Sequence, residues 1–84
     1  MPSAEFNAAA DAAQAFTTKP SDDELLKLYG LFKQATIGDN ETSKPTFDIR
    51  GRYKWDAWTA NKGKSQEEAE KEYIALVEEL KAKQ

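Results

Sequence analysis

Residues 21–38 read Ser21-Asp22-Asp23-Glu24-Leu25-Leu26-Lys27-Leu28-Tyr29-Gly30-Leu31-Phe32-Lys33-Gln34-Ala35-Thr36-Ile37-Gly38, a helix with both of its ends written in. Ser21 and Glu24 have the S-x-x-E spacing of a capping box. The hydroxyl can accept from the third amide of the helix while the glutamate reaches back to the serine amide. Three acids in the first turn suit the positive end of the helix dipole. Leu25, Leu28, Tyr29 and Phe32 recur at helical spacing along one face, and Leu26 and Leu31 lie off it. That apolar arc is wider than a single core stripe needs. The helix is predicted to run to about Thr36, with Gly38 supplying a left-handed stop.

The same grammar extends outward. Phe6, Ala9, Ala10, Ala13 and Phe16 mark one face of a first helix over residues 4–16. Its alanines favour helix and leave room for close approach by a neighbour or a ligand. Pro20 ends that segment by forcing the preceding residue out of helical geometry. Residues 51–61 form a third helix carrying Tyr53, Trp55 and Trp58, with both tryptophans expected in the core and Gly63 as the stop. A second capping box, Ser65 with Glu68, opens a fourth helix with Ala69, Tyr73, Leu76, Val77 and Leu80 on one face. Lys81 and Lys83 suit its negative end. Residues 39–49 are the longest connection, and Phe47 and Ile49 are expected to pin it to the core. There is no strand alternation, no repeat and no heptad seam. The fold expected is all-α: a four-helix bundle with one long crossover loop between helices two and three.

Composition narrows the chemistry. The 84 residues make one domain, 1–84, with 39% apolar and 32% charged side chains, too polar for a membrane protein and too aromatic for a disordered one. No run approaches the apolar length of a membrane span, and the N-terminus has no secretory pattern. Cysteine is absent, so no disulfide is expected and a cytoplasmic location is the simple reading. Histidine is absent too. Without either residue, zinc, haem and thiol chemistry are nearly excluded, and no general base with an orienting partner stands out. The expectation is therefore no enzyme, no metal and no cofactor. Net charge is −3, but residues 44–64 carry six cations against two anions, which leaves the remainder strongly acidic. Such a chain is repelled by nucleic acid and can still hold a small anion locally.

Tyr29 and Lys33 are i, i+4 neighbours, with Phe32 beside them. Arg50, Lys54 and Trp58 repeat that spacing. A phenol, several cations and an aromatic platform suit a phosphorylated purine: bases stack on rings, and phosphate takes charge-assisted hydrogen bonds. Taken singly, Tyr29, Phe32, Trp55 and Trp58 read as core, and Lys33 and Lys54 as solvated charges.

The order of motifs goes further. Thr18-Lys19-Pro20 is followed by acids, then Leu28-Tyr29-Gly30-Leu31-Phe32-Lys33-Gln34-Ala35-Thr36-Ile37-Gly38-Asp39. Next come Gly51-Arg52-Tyr53-Lys54-Trp55-Asp56-Ala57-Trp58 and Ala69-Glu70-Lys71-Glu72-Tyr73-Ile74 leading into Val77-Glu78-Glu79-Leu80. In this order the chain resembles the acyl-CoA-binding protein family over essentially its whole length. The resemblance implies an up-down-down-up bundle and non-catalytic binding, buffering and intracellular transport of medium- to long-chain fatty acyl-CoA esters. It places Tyr29 and Lys33 at the 3′-phosphate, Lys54 as a second cation, Tyr73 near the nucleotide and Lys19 at the head group. Phe32 would stack on adenine, Ala10 would leave room beside the first helix, and Leu25, Leu26 and Leu28 would line the acyl groove or adjoining core. It also implies a monomer that hands its cargo to acyl-CoA-consuming enzymes, with no stable membrane insertion and membrane contact no more than transient. Three departures stand out: Phe32 replaces a usual tyrosine, Gln14 a frequent lysine, and Tyr53 a residue that is often small, which implies a narrower or differently roofed groove. The crossover is one residue shorter than in familiar members. The alternative is a helical protein–protein interaction module that docks a partner on the apolar arc of helix two.

Overall fold

The computed structural model describes residues 3–83. They form four helices: α1 (Ala4–Gln14), α2 (Asp22–Thr36), α3 (Ile49–Thr59) and α4 (Gln66–Ala82). Both halves of the α2 capping box are made. Ser21 Oγ accepts from the Glu24 amide at 3.2 Å, and Glu24 Oε1 accepts from the Ser21 amide at 2.9 Å. Gly38 and Gly63 close their segments at φ 101° and 92°, a region costly for any residue with a Cβ. α1 ends two residues before Phe16, ahead of two β-branched threonines, yet Phe16 still packs on the core half-buried. α3 begins two residues earlier than its sequence pattern predicts. Asp48 is the reason: its carboxylate accepts from the Gly51 amide at 3.1 Å and caps the helix.

Contacts fix the helix directions. Ser3 and Phe6 meet Glu70 and Tyr73, so α1 and α4 run parallel. Gln66 reaches Ala35 and Lys83 reaches Glu24, so α4 runs against α2. Tyr29 faces Lys54 while the Trp58 indole reaches Gly38, so α2 and α3 run the same way. The topology is up-down-down-up. Phe6, Leu28, Leu31, Ala35, Tyr73, Val77 and Leu80 form the core between α1, α2 and α4. α3 rests on α2 alone among the helices. Gly30 makes that approach possible, since a Cβ there would lie 2.3 Å from the Ala57 carbonyl oxygen.

The crossover is not held by apolar anchors as expected. Phe47 is 94% exposed and Ile49 is 67% exposed. Polar groups hold it instead, because a loop must first satisfy its own backbone and amide groups. Asn40 is buried, donates to Thr59 Oγ1 at 2.9 Å, and accepts from the Thr42 amide at 2.9 Å. The Trp55 indole donates to the Thr42 carbonyl at 2.9 Å and the Trp58 indole to the Gly38 carbonyl at 2.8 Å. Trp58 is buried as expected, whereas Trp55 is only half-buried, with Lys44 Nζ 5.6 Å from its ring. Its N–H needs a partner in the loop, which keeps the ring at the surface.

Asp39 ties the loop to the turn between α3 and α4. It accepts from the Gly63 amide and from Gln34 Nε2, both at 2.9 Å. Gln34 is fully buried and also donates to the Lys64 carbonyl at 2.7 Å. The Gly63 amide, then Gln34, hold the Asp39 carboxyl below its ordinary range. The folded state therefore binds this proton less readily than the unfolded chain does. The stabilisation is present above the ordinary carboxylate value and is lost as pH falls through the lowered one. Asp39→Ala should lower Tm most at neutral pH, and the difference should shrink as pH falls below the ordinary carboxylate range in paired thermal melts. A gap that stays constant across this range would contradict the assignment.

Candidate functional site

Tyr29, Lys33 and Lys54 converge on one face between α2 and α3. Tyr29 and Lys33 are one turn apart on α2, and Lys33 Nζ lies 5.8 Å from the Tyr29 ring centre. The same ammonium lies 5.6 Å from the Trp58 ring, and Lys54 Nζ comes across from α3 to 5.3 Å from Tyr29. Each distance lies within the range where an ammonium is attracted to the ring quadrupole. Neither lysine forms an ion pair with a carboxylate among the described residues, unlike Lys44, Lys64 and Lys83. Two positive charges are thus positioned by aromatic faces and left without an anion. A phosphate can supply one without displacing a salt bridge.

A groove of about 860 Å³ opens next to this cluster, between the N-terminal halves of α2 and α3. Leu25, Leu26, Ile49 and Tyr53 give it apolar walls. Lys19, Arg50 and Lys54 supply cations, with Asp22 and Asp23 also on the lining. Lys54 belongs to both groove and cluster, so the apolar cleft and the cationic mouth are continuous. Leu26 also borders a second cleft of about 600 Å³ that reaches Leu31, Ala57 and Ala60.

Phe32 of α2 packs with Phe6 of α1 and Tyr73 of α4. Phe32 stacks on Phe6 at 5.6 Å between centres, and Tyr73 sits 4.9 Å from Phe6 and 6.0 Å from Phe32. Tyr73 is buried, and burial pushes its phenol pKa up. It acts as a backing for Phe32, which is 37% exposed. Ala10 is half-buried on α1 against the core. Leu28 is a core residue and does not line the groove.

The resemblance ties Tyr53 to the roof of the groove, whereas the sequence offers Ile49 as a loop anchor and not as the wall it makes with Tyr53. They form an i, i+4 apolar pair on an otherwise cationic helix, and that spacing is the signal that could have revealed them.

A cationic-aromatic mouth that opens into an apolar cleft is the architecture of a binding protein for an amphipathic anion. The comparisons agree. The family model described as Acyl CoA binding protein matches residues 3–77. The acyl-CoA-binding protein of Saccharomyces cerevisiae is 61% identical over 79 residues, which cover 93% of this chain and 91% of that protein. The acyl-CoA-binding protein homolog of Drosophila melanogaster is 56% identical over 84 residues, covering 99% of this chain and 98% of that one. The crystal structure of Oryza sativa Acyl-CoA-Binding Protein 2 superposes with a TM-score of 0.90 at 45% identity, over 94% of this chain and 89% of that one. The crystal structure from Moniliophthora perniciosa gives 0.91 at 39% identity, over 99% and 83%. The chain belongs to the acyl-CoA-binding protein family, whose members are binders and not enzymes. Among the described residues no helix is long and apolar enough to cross a membrane, and no cluster is placed to hold a metal ion.

Proposed function

We propose that this chain binds medium- to long-chain fatty acyl-CoA esters without chemistry, buffers them in the cytoplasm as a monomer, and passes them to acyl-CoA-consuming enzymes. The observation that carries the reading is the approach of Lys33 and Lys54 to one phenol at the end of an apolar groove. In this reading the 3′-phosphate sits against Tyr29, Lys33 and Lys54, and adenine stacks on Phe32. Lys19 reaches the head group, Leu25 and Leu26 line the tail, and Ala10 leaves space beside α1. Tyr73 supports the platform from below.

The two ends of the ligand contribute differently. A sixteen-carbon tail has ~14 methylenes, and burial at ~0.8 kcal/mol each gives ~11 kcal/mol gross. Ordering both partners removes several kcal/mol of that. Ion pairs near the surface are screened and add less, so the nucleotide end chiefly provides selectivity. The loss of the usual tyrosine hydroxyl at Phe32 removes about 0.5–1.5 kcal/mol if that hydroxyl donated to the ligand. Calorimetric titration with palmitoyl-CoA, free CoA and palmitate tests the division of labour. Palmitoyl-CoA should bind far more tightly than either fragment. Equal affinity for palmitate and palmitoyl-CoA would refute it.

A further inference from the structure

The groove between the N-terminal halves of α2 and α3 is continuous with a second space. Two of its lining residues, Asp23 and Leu26, also border the cleft of about 600 Å³. The groove meets α3 at its beginning, from Ile49 to Lys54. The second cleft meets the other end, at Ala57, Ala60 and Asn61, and reaches α4 at Glu72. Its lining sorts by exposure. Leu31 is buried, Leu26 and Ala57 are half-buried, and the charged Asp23, Lys27 and Glu72 are exposed. Two of the polar groups are already engaged. Glu72 pairs with Lys64 Nζ at 2.6 Å. Asn61 donates to the Ala57 carbonyl and accepts from the same ammonium, both at 3.1 Å. A polar occupant would have to compete with these bonds, whereas an alkyl chain needs none and gains by covering apolar surface.

We propose that the second cleft holds the distal end of long acyl tails, which cross Leu26 from the groove to reach it. This inference rests on the acyl-CoA reading and adds the length of the ligand to it. Tails short enough to end in the groove gain nothing from the cleft. Longer tails exchange water for Leu26, Leu31, Ala57 and Ala60, and their extra methylenes add affinity instead of trailing in solvent. Leu26 is then the side chain common to short and long ligands, and Ala60 matters to long ones alone.

Ala60 lies outside the groove lining, so Ala60→Trp puts an indole at the second cleft and leaves the first unaltered. Affinities for saturated acyl-CoAs from lauroyl to docosanoyl are compared by competition, below micelle-forming concentrations. A fully buried methylene contributes about fourfold, and about twofold in an open cleft, so several methylenes beyond Leu26 amount to about tenfold or more. The variant should therefore bind docosanoyl-CoA about tenfold more weakly than the parent chain, and lauroyl-CoA within about twofold of it. A second measurement does not depend on that variant. The chain has no cysteine, so Lys27→Cys carries a single fluorescent label at the cleft. A nitroxide at the far end of a bound stearoyl-CoA tail should quench the label more than one beside the thioester, with one ligand per protein. The same length dependence in parent and variant, stronger quenching from the thioester end, or a second equivalent of ligand in the cleft overturns the inference. Failure of the parent chain to bind any acyl-CoA overturns the acyl-CoA reading itself, and lauroyl-CoA reveals that separately.

Discussion

Replacing both Lys33 and Lys54 by alanine is expected to weaken palmitoyl-CoA binding by roughly two orders of magnitude, with helical content unchanged. A hydrogen bond to a charged group contributes about 1.5–3 kcal/mol, and tenfold in affinity corresponds to about 1.4 kcal/mol. Solvent screening places each lysine toward the low end, about tenfold apiece. Lys33 should have the larger single effect. It is half-buried between two rings, whereas Lys54 is exposed and reaches only Tyr29. Neither alanine leaves a carboxylate stranded, because neither lysine is in an ion pair with a described residue. Circular dichroism should therefore match the parent chain. Normal binding by the double variant would mean that the phosphate sits elsewhere.

The largest effect on stability is expected at Gly30. A methyl group there meets the backbone of α3, with Ala57 O at 2.3 Å and Ala57 C at 2.8 Å, and a backbone cannot rotate away as a side chain can. Gly30→Ala should destabilise by about 1–3 kcal/mol from overpacking, even after the ~1 kcal/mol that alanine gains over glycine in helix propensity. Gly30→Val should be worse. Because α2 is the one helix that α3 packs on, the displaced helix carries Lys54, Ile49 and Tyr53 with it. Chemical denaturation gives the loss of stability, and titration of the remaining folded protein gives the loss of affinity. A Gly30→Ala protein as stable as the parent would show that the α2–α3 contact is looser than described.

Much of the fold was legible because local rules agreed with one another. The α2 boundaries followed from Ser21, Glu24 and Gly38, and each performs the task its chemistry suggests. The failures have a common cause. Phe47 and Ile49 were assigned to the core on hydrophobicity alone, yet hydrophobicity does not say which groups a loop needs for its own amides. Asn40 and Asp39, polar and unremarked in the periodicity, hold the connection instead. α3 starts two residues ahead of its apolar pattern because Asp48, within the span expected as loop, is a cap. In the site, the Tyr29–Lys33 pair could be read from helical spacing. Lys54 could not be brought to Tyr29 by spacing, since that meeting is tertiary and only the family resemblance implied it. Tyr73 is likewise placed by tertiary packing, beneath Phe32 in the core.

A thermodynamic cycle on the 3′-phosphate shows whether Lys33 and Lys54 hold it. Palmitoyl-CoA and its 3′-dephospho analogue are titrated calorimetrically into the parent chain and into the Lys33→Ala, Lys54→Ala double variant. The parent should prefer the phosphorylated ligand by about tenfold or more, and the double variant should bind the two almost equally. A preference of the same size in both proteins would contradict the account, because the phosphate would then be held by other side chains.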